Sequence, residues 1–324
     1  MKVRNFLLSG LVVAAMGLVA VGCNENPTDN PSTGNAPLAP TSLMASSTGS
    51  DAVALKWTAA TDTGTITFKV AWKSSDGTDS GSVSGLTSST QTVTGLKVGK
   101  QYTFSVTAVR GTLSSTAITV DAAGATRYGS TTSLKMYESI SSLPSGLVID
   151  PALGGPVVVS VSSSNPNLSN VQLAIYKDVN DPLHFEIGPA YAYDISVYRN
   201  ANLFDHNTYI SDSTFPAANL DSWYGTGSIA GRFLSSGNVS RFVLPDQQST
   251  LGQGFYVRTG TPGNYHYARL FIKNNGGKLL QGTAPDRYIE VEISYQTGAN
   301  LPFAKGSVAA TPANGASHVF KKRN

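Results

Sequence analysis

The chain has 324 residues, a length that accommodates about two domains with separate cores. Only 13% of its residues are charged, and it contains 32 glycines and a single cysteine. This composition disfavours exposed helices and favours strands and turns. One cysteine excludes an internal disulfide and any zinc or iron–sulfur site built from several cysteines. The sequence therefore predicts an all-β protein.

The formal charge of +3 originates at the two ends of the chain. Lys2 and Arg4 have no acidic residue near them, and neither do the four basic residues of the C-terminal tail, Lys305, Lys321, Lys322 and Arg323. The rest of the chain keeps 17 of the 23 basic residues against all 20 acidic residues, a net charge of about −3. A nucleic-acid partner is therefore not expected.

Residues 1–22 have the three regions of an export signal. Lys2 and Arg4 come first, a 17-residue apolar run follows from Phe6 to Gly22, and small residues close it. The run is slightly short for a membrane span, and no cluster of positive charges follows it. Residues 1–22 are therefore predicted to be a cleaved signal peptide.

Cys23 stands directly after this segment, in Val19-Ala20-Val21-Gly22-Cys23. The five residues resemble the bacterial lipobox, with Ala20 in the place where leucine is usual. The resemblance implies cleavage before Cys23 and acylation of its thiol and amine. Several acyl chains provide a stable anchor without a spanning helix. The sequence predicts a protein that is exported and lipid-anchored to the bacterial cell envelope through Cys23.

Residues 23–36 are polar, contain two prolines and lack apolar periodicity, so they are predicted to be a flexible tether. Cys23 is followed by Asn24 and not by the aspartate that marks inner-membrane retention in enteric-type bacteria. The outer membrane is therefore the expected location.

Residues 37–127 contain short strands with one apolar face. Large apolar residues alternate with polar ones in Val53–Trp57, Ile66–Trp72 and Tyr102–Ala108, and turn residues separate these runs. The pattern predicts a sandwich of two antiparallel sheets. Trp57, Leu96 and Tyr102 are predicted to be structural core residues.

The same residues resemble a fibronectin type III domain. The leading Pro40, Trp57 in the second strand and the Leu96-x-x-Gly99-x-x-Tyr102 motif carry the resemblance. It implies an Ig-like sandwich in which the Tyr102 hydroxyl bonds back to the backbone upstream, as a tyrosine corner. Such modules serve as spacers and binding surfaces, so no chemistry is expected from the fold itself.

Residues 131–305 continue the β rhythm, with alternating apolar residues in at least six segments. They predict a larger β-sandwich or jelly-roll-like domain. The stretch from Asn200 to Gly237 interrupts the rhythm and is predicted to be a long loop, where binding often occurs. Residues 306–324 are predicted to be a disordered basic tail.

Three segments of this region resemble HmuY-type haem-binding lipoproteins. They are Tyr193–Val197, Gly254–Thr259 and Tyr265–Leu270, which are similar to a Trp-Asp-Ile-Ala-Phe strand and a Tyr-Val-Val-Arg-Thr hairpin of that family. Tyr193 replaces the usual tryptophan. The resemblance implies a haem-binding lipoprotein, which remains an alternative to a protein without a cofactor.

Four residues are candidates for ligand binding. His206 follows Asp205 in the long loop and His266 lies in a strand, and both are candidate haem ligands. The more common explanation is a solvated histidine for His206 and a partly buried or rim histidine for His266. Trp223 and Tyr224 offer exposed rings on which a sugar or peptide can stack, and core packing is their alternative. No metal site is expected.

Catalytic motifs are absent from the sequence, which has no Gly-x-Ser-x-Gly, His-Glu-x-x-His or Walker segment. Glu290 and Glu292 share a strand face at a spacing that suits glycoside hydrolysis, but a solvated outer face explains them as well. The expected function is non-catalytic binding or adhesion to a protein or glycan at the cell surface. Haem or small-ligand capture and a carbohydrate-binding or carbohydrate-active role are the alternatives, the last because enzyme status stays open for residues 131–305.

Overall fold

The computed structural model describes most of the chain from residue 35 onward. The described residues are 35–162, 164–177, 185–193, 203–211, 214–224, 233, 238–244, 250–301 and 317–321, with the backbone alone for 177, 238–244 and 317–321. The predicted signal peptide, Cys23 and nearly all of the predicted tether lie outside them. Residues 36–324 make up one structural unit. No helix in the described part of the chain is long and apolar enough to cross a membrane.

The first sandwich contains eight strands. They are β1 (Thr41–Gly49), β2 (Ala52–Thr58), β3 (Thr67–Ser74), β4 (Ser80–Leu86), β5 (Thr90–Val93), β6 (Tyr102–Arg110), β7 (Leu113–Ser114) and β8 (Ile118–Ala122). One sheet has the order β1-β2-β5. In the other, β4, β3 and β6 are neighbours and both β7 and β8 pair with β6. All of these pairs are antiparallel.

The core of the first sandwich comes from the alternating residues of both sheets. Trp57 and Phe68 face each other edge to face at 5.4 Å between ring centroids, and Leu96 is buried in the same core. Tyr102 is fully buried, and its hydroxyl accepts a hydrogen bond from the Lys97 amide at 2.9 Å. This is the geometry of a tyrosine corner, which fixes the crossover between the two sheets.

The second sandwich contains thirteen strands among the described residues. They are β9 (Thr126–Tyr128), β10 (Leu134–Tyr137), β11 (Gly146–Val148), β12 (Val157–Val159), β13 (Leu173–Lys177), β14 (Phe185–Pro189), β15 (Tyr209–Ile210), β16 (Phe215–Ala217), β17 (Asn238–Leu244), β18 (Gly252–Thr261), β19 (Asn264–Ile272), β20 (Tyr288–Tyr295) and β21 (Ser317–Lys321). Three short 3₁₀ turns complete the elements: Pro151–Leu153, Leu168–Asn170 and Ala190–Ala192.

Two sheets enclose the core of the second sandwich. In the seven-stranded sheet the order is β10-β20-β19-β18-β15, with β9 also on β20 and β16 also on β18. The six-stranded sheet has the order β12-β11-β13-β14-β17-β21. Apolar residues from both sheets meet between them, among them Leu173 and Ile187 from one and Phe255 and Leu270 from the other. The all-β prediction, with two successive sandwiches, is confirmed.

Two segments differ from the sequence prediction. The stretch 200–237, expected to be a loop, contains β15 and β16, which both pair with β18. These strands have two and three residues, too few for alternation to be visible. Within the predicted disordered tail, β21 pairs with β17. Of the expected strand at 193–197, Tyr193 follows a 3₁₀ turn, and 194–197 lie outside the described residues.

Candidate functional site

The seven-stranded sheet has a second face, opposite the core. Because successive strand residues point to opposite sides, Phe255 and Val257 enter the core while Tyr256 and Arg258 point away from it. On β19 the residues that point away are Tyr265, Tyr267, Arg269 and Phe271. We call this side the outer face. Residues 214–224 and Phe233 cover part of it and form a second small core.

Trp223 belongs to this small core. It is 4% exposed and packs on Phe215 and Tyr256 at ring distances of 5.3 and 5.0 Å. Its ring lies against Gly254, where an added Cβ would be only 2.3 Å from the indole. The expectation of an exposed, stacking Trp223 is therefore replaced by its alternative, core packing. Tyr224 is half-buried, and burial followed by the nearby Asp221 carboxylate raises its pKa.

Arg269 crosses from the outer face into the first sandwich and is fully buried. Its Nη1 donates to the Trp223 and Leu220 carbonyls at 2.9 and 3.2 Å and to the Ser46 hydroxyl at 3.1 Å. Its Nη2 donates to the Ser47 carbonyl at 2.5 Å and to the Ser294 hydroxyl at 3.2 Å. Ser46 and Ser47 lie on β1, so this side chain bonds the two sandwiches together.

Further contacts close the same junction. The Gln296 side chain donates to the Ala123 carbonyl at 3.2 Å, and Gly99 meets Gly298 so closely that a Cβ at Gly298 would lie 2.6 Å from the Gly99 carbonyl oxygen. Burial, followed by repulsion from the Arg127 cation, lowers the pKa of Arg269 to about 9. The guanidinium therefore stays charged at neutral pH.

Glu290 and Glu292 lie on the outer face as expected, and both are engaged by cations. Lys273 contacts the two carboxylates at 3.2 and 3.1 Å, and Arg127 contacts Glu292 at 3.1 Å. Burial acts to raise the pKa of Glu290, but hydrogen bonds from Lys273 and Ser133 outweigh it and hold the pKa low. A general acid needs the opposite shift, so Glu290 is not suited to that role. Both carboxylates are engaged in ion pairs.

Arg258 also lies on the outer face, next to the small core. Three rings surround its guanidinium carbon, Tyr265 at 4.4 Å, Tyr209 at 4.7 Å and Phe233 at 4.9 Å from their centroids. Arg258 is half-buried, and its Nε is buried without a hydrogen-bond partner. Within the described ranges, no carboxylate forms an ion pair with it.

His206 continues this aromatic surface. It is exposed, and its ring stacks on Tyr191 at 4.9 Å with an interplanar angle of 20°. Burial, followed by the influence of Tyr209 and Asp205, raises the pKa of Tyr191. The Asp205 carboxylate accepts from the Thr208 hydroxyl at 2.6 Å and from the Asn207 amide at 3.1 Å.

His266 lies elsewhere, on the core-facing side of β19. Its ring stacks on Tyr295 at 5.8 Å, and its Nδ1 lies 3.4 Å from the Gln296 carbonyl oxygen. The structure thus places the two candidate histidines in different ring stacks. In the described part of the molecule, no three His, Cys, Asp or Glu side chains are grouped closely enough to hold a metal ion.

The first sandwich offers a shallow cleft of about 260 Å³ at the end far from the junction loops. Leu38, Ile66 and Phe68 are among its lining residues, and Asp62 at its edge pairs with Arg110. Trp57, Leu96 and Tyr102 are all buried in the core of this sandwich. Their burial agrees with the structural role predicted for them.

Comparison with known proteins agrees with this architecture. A family model described as the fibronectin type III domain matches residues 38–121. Residues 38–121 form a fibronectin type III domain. The expected resemblance is confirmed for this part of the chain, which spans the strands β1 to β8 almost entirely. No curated protein matches the chain.

Solved structures of fibronectin type III domains are also similar. The fn3 domain of human collagen alpha-1(XX) is 20% identical, with 30% of this chain and 93% of that chain covered at a TM-score of 0.26. The FN5 domain of Drosophila Lar is 18% identical, with coverages of 27% and 98% and a TM-score of 0.23. The chicken CNTN1 FN1–FN3 domains are 16% identical, with 28% of this chain and 33% of that chain covered at a TM-score of 0.26.

Arg258 and Arg269, both on the outer face, are the residues that the sequence reasoning missed. Their signal is visible in the strand alternation, since Tyr256 and Arg258 are two apart, as are Tyr265, Tyr267 and Arg269. Period-2 spacing places each set on one side of its strand. The sequence alternation therefore predicts that each arginine lies among aromatic side chains on the sheet face opposite the core.

Proposed function

We propose that this chain is an exported, lipid-anchored protein of the bacterial cell envelope that performs non-catalytic binding at the cell surface. In this proposal the fibronectin type III domain is a rigid support, and the second sandwich presents the binding face. The observation that carries the proposal is the junction at Arg269, where five hydrogen-bonded contacts include two residues of β1. A support bonded in this way holds the outer face in a fixed orientation.

The anchor is the part of this proposal that rests on sequence. Cys23 follows the apolar segment of the predicted signal peptide and is the chain's only cysteine. An exported protein with one thiol at this junction has no disulfide to form with it. Acylation there would retain the protein at the outer membrane, as expected for a lipoprotein with Asn24 after the cysteine.

Metabolic labelling with a palmitate analogue in a bacterial host tests the anchor. We expect label on the full-length chain and its recovery in the membrane fraction. Cys23→Ser should lose both, while Asn24→Ala, one residue further on, should keep both. Label that persists in Cys23→Ser, or an unlabelled parent chain, would refute the lipid anchor.

Haem capture is a second candidate because His206 is exposed and stacks on Tyr191, beside the phenol of Tyr209. An exposed imidazole among tyrosines can serve as an axial ligand. Haemin titration of the full-length chain distinguishes the candidates. A Soret band that shifts on binding and disappears in His206→Ala supports haem capture, whereas an unchanged band, or one that His206→Ala and His266→Ala leave in place, eliminates it.

A further inference from the structure

Arg258 stands on the most regular part of the second sandwich. Its strand β18 pairs with β19 over nine residue pairs and with β15 on its other side, so the backbone that carries Arg258 is held from both sides. Tyr209 is its cross-strand neighbour on β15, and Tyr267 is its neighbour on β19. A side chain in this position is fixed by the sheet rather than by a loop.

The rings around Arg258 constrain its guanidinium. Tyr265, Tyr209 and Phe233 all lie within 5 Å of its central carbon, which gives three cation–π contacts in one place. Rings that cover the flat faces of a guanidinium leave its edge as the direction for hydrogen bonds. That edge matches the two oxygens of a carboxylate.

The charge on Arg258 lacks a counterion in the described residues. Two other outer-face cations have counterions, since Arg127 contacts Asp221 and Glu292, and Lys273 contacts Glu290 and Glu292. Asp205, on the side of Tyr191 and Tyr209, bonds instead to Asn207 and Thr208. A partly desolvated cation that has no carboxylate partner in the described part of the chain is suited to an anion from outside it.

The rings near Arg258 also provide stacking surface. Tyr209, Tyr265 and Tyr191 are half-buried, and His206 beside Tyr191 is exposed. Such rings present an apolar face together with a polar tip. A pyranose ring has an apolar C–H face and a rim of hydroxyls, which fits a row of tyrosines. Stacked rings beside a cation that has no carboxylate partner among the described residues favour a sugar that carries a negative charge.

We propose that the outer face around Arg258, Tyr209 and Tyr265 binds an acidic polysaccharide through the carboxylates of its uronic acid residues. Arg258 receives one carboxylate along its edge, and the tyrosine rings stack on the sugar that carries it. This inference rests on the surface-binding role proposed above and assigns that role a ligand class. It moves the expected stacking site from Trp223, which is buried, to Tyr209 and Tyr265.

Calorimetric titration of the purified full-length chain tests the site with defined polymers. The probes are oligogalacturonate, its methyl ester and dextran sulfate. We expect oligogalacturonate to bind at least about tenfold more tightly than the methyl ester, because esterification removes the charge and keeps the sugar. Equal binding of these two probes, or no binding of either, would overturn the proposal. Tighter binding of dextran sulfate than of oligogalacturonate would overturn the assignment to carboxylates.

Variants connect the binding to named side chains. Arg258→Gln should weaken oligogalacturonate binding about tenfold or more, and Arg258→Lys should recover part of it because the charge returns without the planar fork. Lys135→Gln is the matched control, since Lys135 lies 4.5 Å over the Tyr288 ring in a separate cation–π pair. It should bind like the parent chain. Affinity that Arg258→Gln leaves unchanged would overturn the proposal.

A second variant covers the case in which Arg258→Gln fails to fold. Tyr265→Leu removes a half-buried ring and keeps an apolar side chain. It should weaken binding of oligogalacturonate severalfold, and unchanged affinity would overturn the stacking role. Palmitate labelling of Cys23 does not enter these titrations. A negative titration would therefore contradict the polysaccharide site but not the lipid anchor at Cys23. A negative labelling experiment would contradict the anchor but not the site.

Discussion

Arg269 places a positive charge in a fully buried position, where three backbone carbonyls and two hydroxyls replace its hydration shell. Such a charge is tolerated because both Nη atoms are hydrogen-bonded, while Nε has no partner among the described residues. A buried cation without any partner costs several kcal/mol. The carbonyls of Ser47, Leu220 and Trp223 depend equally on the arginine. The residue therefore determines whether the two sandwiches can meet.

Replacing Arg269 with methionine should destabilise the chain strongly. The apolar side chain leaves the carbonyls of Ser47, Leu220 and Trp223 buried without these donors, and we expect a loss of about 3–5 kcal/mol in the free energy of unfolding. Denaturant unfolding measures it. Lys100→Met is the control, since it breaks the exposed Lys100–Asp76 pair and should leave the free energy of unfolding nearly unchanged. Equal losses in the two variants would contradict the role of Arg269.

Gly254 lies under the Trp223 ring, and its missing side chain is what allows the contact. Gly254→Ala places a Cβ about 2.3 Å from the indole, so Trp223 must move outward. We expect a loss of about 1–3 kcal/mol and stronger quenching of tryptophan fluorescence by acrylamide. Gly49→Ala is the control, because its Cβ would meet its nearest atom at 3.5 Å, an ordinary contact. Unchanged quenching in Gly254→Ala would mean that Trp223 does not rest on this glycine.

Tyr102 makes the first sandwich sensitive to high pH. Its burial, followed by its bond to Asp79, raises its pKa to about 12. The unfolded chain releases this proton near pH 10, while the folded chain keeps it up to about pH 12. The stability that depends on the neutral phenol is therefore complete below pH 10 and is lost as the pH rises through 12.

The variant Tyr102→Phe isolates this contribution from that of the other tyrosines. Near neutral pH it should be less stable than the parent by about 1–3 kcal/mol, because it loses the bonds to the Lys97 amide and the Asp79 carboxylate. The difference should shrink above about pH 10. Unfolding curves at a series of pH values measure it, and a difference that stays constant with pH would contradict the assignment.

At the scale of elements, the long regular strands were accessible from the sequence. In β6, β18, β19 and β20, eight or more residues alternate between a core face and another face, so period-2 spacing is unmistakable. The Leu96 to Tyr102 motif also predicted the crossover between the sheets of the first sandwich. Residue alternation and local turn chemistry were therefore sufficient to predict these elements.

Other elements could not be read from the sequence, because they depend on pairing with distant residues. β15 and β16 are too short to show alternation and exist as partners of β18, while β21 pairs with β17 across more than seventy residues of chain. Trp223 was misplaced for the same reason, since its cover is Gly254, some thirty positions later. Local pattern does not carry such tertiary information.

In the candidate site, too, some features follow from the local sequence and others depend on distant residues. The position of Arg258 in an aromatic row follows from strand alternation, but its cage also needs Tyr209 and Phe233 from other segments. The exposure of His206 agrees with its loop sequence. The partners of Arg269 in β1 are more than two hundred residues away, and no spacing rule connects them.

At the scale of the whole molecule, the junction decides how the protein can act. β9 enters the seven-stranded sheet at Thr126, four residues after β8 ends at Ala122, so little chain separates the sandwiches. Gly124 lies in this connection, where a Cβ would be 2.3 Å from the Ser50 carbonyl. A short connection and a buried arginine favour one rigid unit over two modules on a flexible linker.

Differential scanning calorimetry of the full-length chain tests this central claim most directly. If the two sandwiches form one rigid unit, the parent chain unfolds in a single cooperative transition, with a calorimetric enthalpy that equals the van't Hoff enthalpy. In Arg269→Met the same scan should separate into two transitions, one for the fibronectin type III domain and one for the second sandwich. Two independent transitions already present in the parent chain, both unaffected by Arg269→Met, would contradict it.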